Sequence, residues 1–470
     1  MFEIKKNKVV QNYLYNLSYQ IVITVLPIIT TPYLTRVLGA DNLGIARYVE
    51  SIATLFTVFG LLGMVWYADR AIAYKRNSKQ EMSKCFWEIF ILRMLLLLGT
   101  LIIYMLFIRT NEYENYFKIY LLYILGTFLD ISWFFTGIEE MKPVVIRNYI
   151  VRIIFTVLLF VCIHNRNDLN IYIWLLCMMT FANAVLIMPW IKKYVSFVPI
   201  REVQFWKHLL PSLALFLPQA ASQLYVQCDK VMIKNMISDV AYVSYYTENE
   251  KIAKLPIILA TALSTVLMPR IAYEFSKGKN EQVKGYIQKA LYLTLLVLMP
   301  CCAGLMVVAN NFVPFFLGNE FADTYRILIL LCPTMVFIGI SNVTGIQYLV
   351  AVNKNRELTI SYVAALIVNL IVNYLLIPKC GVYGAAIGTL AAEGISAAIQ
   401  YYYMHKCIGG TLKAGYLIKL LCASLVMGVI VYSINFIGLN QLYTLITQVI
   451  IGMIFFAIGV YVLRIVPERK

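Results

Sequence analysis

Charge is scarce in this chain. Only 14% of its 470 residues are Asp, Glu, Lys or Arg, 61% are hydrophobic, and the mean hydropathy is +0.75. A water-soluble globular fold cannot cover that much apolar surface, so that class is excluded. Histidine is rarer still, with 3 scattered residues, and the 10 cysteines form no CxxC pair and no cluster with histidine. Cys162, Cys177, Cys332 and Cys422 sit inside apolar runs, where a free cysteine acts as a small buried hydrophobe. Neither a metal centre nor a disulfide framework is indicated. Also missing are a Gly-x-x-x-x-Gly-Lys-Ser/Thr phosphate loop, a Gly-x-Ser-x-Gly nucleophile elbow and paired carboxylates on a large external loop. The chain is therefore read as a non-enzyme without a cofactor. Ten-residue alternating segments are absent, which argues against a barrel. The opening MFEIKKNK leads into no apolar run before residue 18, so the first long helix is expected to be its own insertion signal.

What is present is a series of apolar runs of about 20 residues, each long enough to cross about 30 Å of hydrocarbon. Fourteen such spans are expected, among them 13–35, 42–66, 116–137, 206–228 and 240–269. The fold class is an all-α polytopic membrane protein. Of the 40 basic residues, 26 fall at the termini and in every second loop, and 8 in the opposite loops. This bias places both termini in the cytoplasm, in a multi-pass plasma-membrane protein. The net charge of +16 is then a topology signal, and no nucleic-acid partner is expected. Outward loops are short, the longest running from about 310 to 325, so function resides in the bilayer or at its faces.

A weak repeat divides the chain. Shifted by 198 residues, DNLGIARYVE (41–50) lies over DVAYVSYYTE (239–248), matching Asp41 with Asp239, Tyr48 with Tyr246 and Glu50 with Glu248. The spans before these segments carry paired prolines, Pro27 and Pro32, then Pro211 and Pro218. Proline frees backbone carbonyls and permits a bend, and interrupted helices at matching positions of two halves mark transporters. The expected organisation is an N-terminal six-helix lobe (1–194), a C-terminal six-helix lobe (195–405) and two extra helices (406–470).

Charge at membrane depth is costly and points to a cavity or a partner. In VSYYTENEKIAKLP (243–256), Glu248 and Lys251 are three apart, and Glu250 and Lys254 four apart; both spacings allow contact on one helix surface. This quartet either lines a wet cavity or is an internally neutralised cluster that locks the helix to a neighbour. Arg47 and Glu50 lie one turn apart. Asp130 and Arg152 read first as a structural ion pair, with an ion-coupling role as the alternative. Arg93 is expected to snorkel to the cytoplasmic face. Glu393, in the small-residue run GAAIGTLAAEGISAA, is either a buried protonated carboxyl or a proton or cation site.

Several segments carry a family resemblance. TPYLTRVLGADNLGIARY (31–48), WFFTGIEEMKPVVIRNYIVRI (133–153), VQCDKVMIKNMISDVAYVSYYTENEKI (226–252) and RELTISYVAALIVNLIVNYLLIPKCGVYGAAIGTLAAE (356–393) resemble, in order and spacing, bacterial oligosaccharide flippases of the O-antigen and capsule type. Their superfamily includes the multidrug and toxin extrusion (MATE) transporters and the lipid II flippase. The resemblance implies two pseudo-symmetric lobes around a central cavity. It implies an undecaprenyl-diphosphate-linked oligosaccharide as substrate, held by cations matched here by Arg36, Arg47, Lys230, Lys251 and Lys254. Asp229 beside Lys230 matches an Asp-Lys pair, with ion coupling or ion pairing as its expected role. YADRAIA (67–73) departs from the family, which more often has Arg followed by Glu; this puts a gate role for Arg70 in doubt. Expected partners are membrane lipids, a polysaccharide polymerase with its chain-length machinery, and H+ or Na+ as coupling ion. Two rivals remain: a multidrug or cation antiporter, which the basic candidates disfavour, and a membrane polymerase, which the short outward loops disfavour.

Overall fold

The computed structural model describes the backbone of residues 2–465 and the side chains of these apart from 2–21, 24, 200, 218, 259–266, 268 and 269. Among the described residues there are sixteen α-helices and no strand. The chain divides into two compact units, 1–231 and 232–470.

The first unit holds α1 (Phe2–Leu61), α2 (Met64–Lys75), α3 (Lys79–Ile108), α4 (Glu114–Leu129), α5 (Ser132–Gly137), α6 (Lys142–Cys162), α7 (Leu169–Ile191) and most of α8 (Leu209–Met236). α1 is two helices joined at Gly39, whose φ of 78° and ψ of 175° are non-helical. Gly63 closes the gap between α1 and α2 at φ 82°, and a Cβ there would stand 2.3 Å from the Ser212 carbonyl oxygen. Only glycine meets both demands. α4 lies close to α7 because Gly126 faces the Phe181 backbone, where a Cβ would approach to 2.8 Å.

The second unit holds α9 (Ala241–Lys254), α10 (Ile257–Ser276), α11 (Asn280–Leu317), α12 (Tyr325–Ser341), a π-helical segment (Asn342–Val350), α13 (Asn355–Cys380), α14 (Val382–Ile408), α15 (Ala414–Ser433) and α16 (Gln441–Val462). α13 and α14 pack almost backbone to backbone: a Cβ on Gly384 would stand 2.4 Å from the Leu376 carbonyl carbon, and one on Gly388 2.0 Å from Asn373 Oδ1. This is the close approach that a small-residue helix face permits. α15 is fixed to α11 by stacked Tyr292 and Tyr416 rings, 3.9 Å apart, with the Tyr416 hydroxyl donating to the Tyr292 carbonyl at 2.8 Å. α15 and α16 leave large apolar side chains uncovered, including Val429 and Val462 at 70% and 67% exposure, as lipid-facing helices do.

Eleven described helical segments are long and apolar enough to cross a membrane. They become twelve if Phe205–Leu217 and Gln219–Met236, which meet at a 54° bend, form one span. Fourteen were expected, and the difference has two sources. The expected spans 13–35 and 42–66 join in α1. The expected span 240–269 is divided at Leu255 and Pro256 into α9 and α10. α9 has 14 residues, about 21 Å of helix, too short alone for about 30 Å of hydrocarbon.

The repeat predicts a division at 194, and the compact units divide at 231. The contacts of the connector explain the offset. Ser196 N–H donates to Ser83 Oγ at 3.0 Å, and Trp87 Nε1–H donates to the Ser196 carbonyl at 3.1 Å. Phe216 of α8 packs on Phe59, with ring centroids 5.8 Å apart. The connector and the first turns of α8 therefore belong with α1 and α3.

Candidate functional site

α9 is anchored on one side and charged on the other. Asp239 Oδ1, just before the helix, accepts the Ala241 N–H at 2.8 Å. The Tyr246 hydroxyl meets Thr389 Oγ1 of α14 at 2.7 Å. Asn249 Nδ2 donates to Thr324 Oγ1 at 2.8 Å. The helix stops at Lys254 because Pro256 offers no N–H to continue the backbone ladder, although Leu255 before it keeps helical dihedrals at φ −54° and ψ −44°. With Tyr246 and Asn249 buried, the charged groups occupy the remaining face. Lys251 Nζ donates to both Glu248 oxygens, at 2.7 and 2.9 Å, and Lys254 Nζ to Glu250 Oε1 at 2.6 Å. Burial is uneven within each pair. The Glu248 and Glu250 side chains are 1% and 9% exposed, those of Lys251 and Lys254 35% and 31%. Two buried carboxylates thus hold two half-exposed ammonium groups at fixed positions. Such cations are compensated and positioned, and can still reach an anion on their open side.

The matching segment of the first unit has the opposite arrangement. Arg47 Nη1 bonds Glu50 Oε2 at 2.9 Å, with the arginine side chain 12% and the carboxylate 38% exposed. Tyr48, like Tyr246, is buried, and packs edge-on against Tyr113 and Phe117. Arg36 is exposed and donates from Nη1 to the Pro32 carbonyl at 2.8 Å. Lys230 Nζ donates to Gln227 Oε1 at 3.0 Å, while its neighbour Asp229 is buried. Adjacent residues on a helix point about 100° apart, so the Asp-Lys pair faces two environments.

Two expectations are corrected. Asp130 pairs with Arg147 at 3.2 Å, not with Arg152, which instead places Nη1 3.8 Å from Met179 Sδ. The expected span 116–137 is interrupted at Asp130, where α4 ends and α5 begins, so counting turns along one continuous helix misplaces the carboxylate. Arg93 does not snorkel: it is 2% exposed, donates from Nη2 to the Thr127 carbonyl at 2.8 Å and lies 5.8 Å from the Trp133 ring centre. Glu393 is buried on α14, beside the small-residue face that meets α13.

Sequence reasoning passed over one cluster. Glu88 of α3 is fully buried and accepts from Lys207 Nζ at 2.7 Å, His208 Nε2 at 2.9 Å and the Gln204 N–H at 3.1 Å. Since Nε2 faces a carboxylate it is the donor, and in the neutral ring Nδ1 accepts from the Tyr67 hydroxyl at 2.7 Å. A lone carboxylate within the apolar run CFWEIFIL was the available signal.

Comparison with known proteins places this architecture. Over 96% of its length the chain superposes on 98% of a lipid II flippase MurJ in an inward closed conformation, at a TM-score of 0.76 and 19% identity. Over 83% it superposes on 98% of an inward-facing multidrug resistance MATE family transporter, at 0.60 and 13%. The fold is that of these flippases and transporters. The chain belongs to the polysaccharide biosynthesis protein family, whose model matches residues 9–275. The Lipid II flippase MurJ family model matches residues 143–456. Among curated relatives, a candidate O-antigen transporter of Escherichia coli (strain K12) is 24% identical over 81% of this chain and 92% of its own length. The capsular polysaccharide biosynthesis protein CapF of Staphylococcus aureus is 21% identical over 52% and 61% respectively.

Proposed function

We propose that this protein is a flippase that carries undecaprenyl-diphosphate-linked oligosaccharide repeat units across the plasma membrane by alternating access, for O-antigen, capsule or another surface polysaccharide. The observation that carries the reading is the α9 cluster, where Glu248 and Glu250 are buried beneath the partly exposed Lys251 and Lys254. A diphosphate offers the charge-assisted bonds that such lysines favour. In the empty protein each lysine is neutralised by its glutamate; in the loaded protein it shares phosphate oxygens. Arg47, held by Glu50, is the matching cation of the first unit, and Arg36 and Lys230 are further candidates. Family membership and the names of the relatives support the substrate class. Fourteen spans follow if the two helices of α1 count separately and α9 with α10 counts as one. Both termini then lie in the cytoplasm. H+ or Na+ coupling is assigned to Asp229 or Glu393, both buried carboxylates. A polymerase with its chain-length machinery would receive the product.

The test is a deletion strain complemented with wild-type or K251A/K254A protein. Deletion is expected to abolish surface polysaccharide and build up lipid-linked repeat units on the cytoplasmic side, and the double variant to fail to complement. Because the double variant leaves two buried carboxylates without their lysines, E248Q/E250Q/K251A/K254A accompanies it as a folded, uncharged control. Normal polysaccharide with both variants would sink the role of the lysines. Repeat units on the outer side in the deletion strain would point to a polymerisation defect, and unchanged polysaccharide with new drug sensitivity to an antiporter.

A further inference from the structure

A second cationic site lies in the first unit, away from the Arg47 pair. A cavity of about 530 Å³ is lined by Arg93, Asp130, Arg147, Trp66, Trp133 and Asn183 among others. Its two arginines are in different situations. Arg147 is saturated: Nε donates to Asn148 Oδ1 at 3.0 Å, Nη1 to Asp130 Oδ1 at 3.2 Å and the Asn183 carbonyl at 2.7 Å, and Nη2 to Ser132 Oγ at 3.0 Å and Asn148 Oδ1 at 2.6 Å. Asp130 is therefore committed. Arg93 is almost fully buried, and among the described residues no carboxylate lies within ion-pair distance of it. Its Nε is buried without a hydrogen-bond partner, as are Trp133 Nε1 and Asn183 Oδ1. The lining balances two arginines with Asp69 and Asp130, but neither carboxylate touches Arg93, and a guanidinium taken out of water without a contacting anion is costly. Two unused N–H donors and one unused acceptor suit a phosphate ester that also carries a hydroxyl group.

The surroundings favour an amphiphile. Val65 and Trp66 at the cavity mouth are 39% and 41% exposed. An apolar groove of about 350 Å³ lies on α1 and α3, which give Leu61 and Arg93 to the cavity, between Leu55, Phe56 and Phe59 of α1 and Thr100 and Ile103 of α3. Thr100 is seven residues beyond Arg93, about 10 Å along α3 and on the same face. Asp69, which also lines the cavity, turns its carboxylate onto the Arg70 N–H at 2.7 Å.

We propose that this cavity binds the phosphate of an anionic glycerophospholipid headgroup, with one acyl chain along the neighbouring groove. The site would hold a resident membrane lipid and is separate from the proposed transport cluster of α9. Phosphatidylglycerol, phosphatidylcholine and inorganic phosphate are the probes, each added to the purified full-length protein in uncharged detergent. Retention is read by native mass spectrometry and thermal unfolding by fluorescence. Phosphatidylglycerol should stay bound and raise the unfolding midpoint by several degrees, with no such effect from phosphatidylcholine or inorganic phosphate. Arg93→Gln should weaken phosphatidylglycerol retention about tenfold, the loss of one charge-assisted contact. Thr136→Trp, at an exposed position of the lining, should do the same by filling the cavity and leaves Arg93 in place. Should Arg93→Gln not fold, Thr136→Trp decides. Equal retention by the wild type and Thr136→Trp overturns the site. An equal midpoint shift with inorganic phosphate overturns its assignment to a lipid.

Discussion

Glu88 has no exposure and three donors, and each donor comes from the connector that precedes α8. A buried carboxylate is tolerable only while its partners remain, and its removal strands His208, itself almost fully buried. Glu88→Ala is expected to lower stability by about 2–4 kcal/mol, with Glu88→Gln in between because it keeps acceptors and loses charge. Thermal unfolding of purified protein in detergent checks this, and an unchanged midpoint for the alanine variant would contradict it. At the same scale the sequence was informative where contact is local. The spacings of Glu248 with Lys251 and Glu250 with Lys254 give the observed ion pairs, because a helix alone brings those positions together. Glu88, Arg93 and Arg147 were illegible, since apart from Asn148 beside Arg147 their partners lie 15 to 120 residues away and only tertiary structure joins them.

Pro256 ends α9 inside a span that the sequence reads as continuous over 240–269, and a glycine's two roles are likewise not separable in sequence. Gly63 and Gly278 both have positive φ, 82° and 71°. At Gly63 a Cβ would strike Ser212 and Phe216 backbone atoms at 2.3 and 2.7 Å, whereas at Gly278 nothing lies within 4 Å. Gly278→Ala is expected to cost about 1–2 kcal/mol, the left-handed strain alone. Gly63→Ala should cost about 3 kcal/mol or more, because backbone must also move. Yield of folded protein and unfolding midpoint separate the two, and equal effects would refute the packing contribution. The expected break at 35–42 and the unbroken span expected over 116–137 both differ from the structure. Gly39 turns α1 without interrupting its helical run on either side, while Asp130 ends α4 outright and shifts every residue after it.

For the molecule as a whole, charge bias proposes an orientation and the repeat proposes a division at 194, while the connector's attachment to the first unit is invisible to either. The proposed orientation has a direct check in two exposed native cysteines at opposite ends of α14's surroundings: Cys380 closes α13, and Cys407 lies in the last turn of α14. With both termini cytoplasmic, a membrane-impermeant maleimide should label Cys380 and spare Cys407 in intact cells expressing single-cysteine variants. The reverse pattern would invert the topology. The α9 pairs have one more consequence, electrical in kind. Two glutamates against two lysines sum to zero, so resetting the empty protein moves no net charge from this cluster across the voltage. Loaded passage would carry the diphosphate's negative charge out of a cell whose interior is negative. Each elementary charge crossing 100 mV is worth about 2.3 kcal/mol, so two give about 5 kcal/mol in the direction of export. Collapsing the voltage in reconstituted vesicles, with ion gradients clamped, is expected to slow export several-fold; a rate indifferent to voltage would mean that the anion's charge is cancelled on the way.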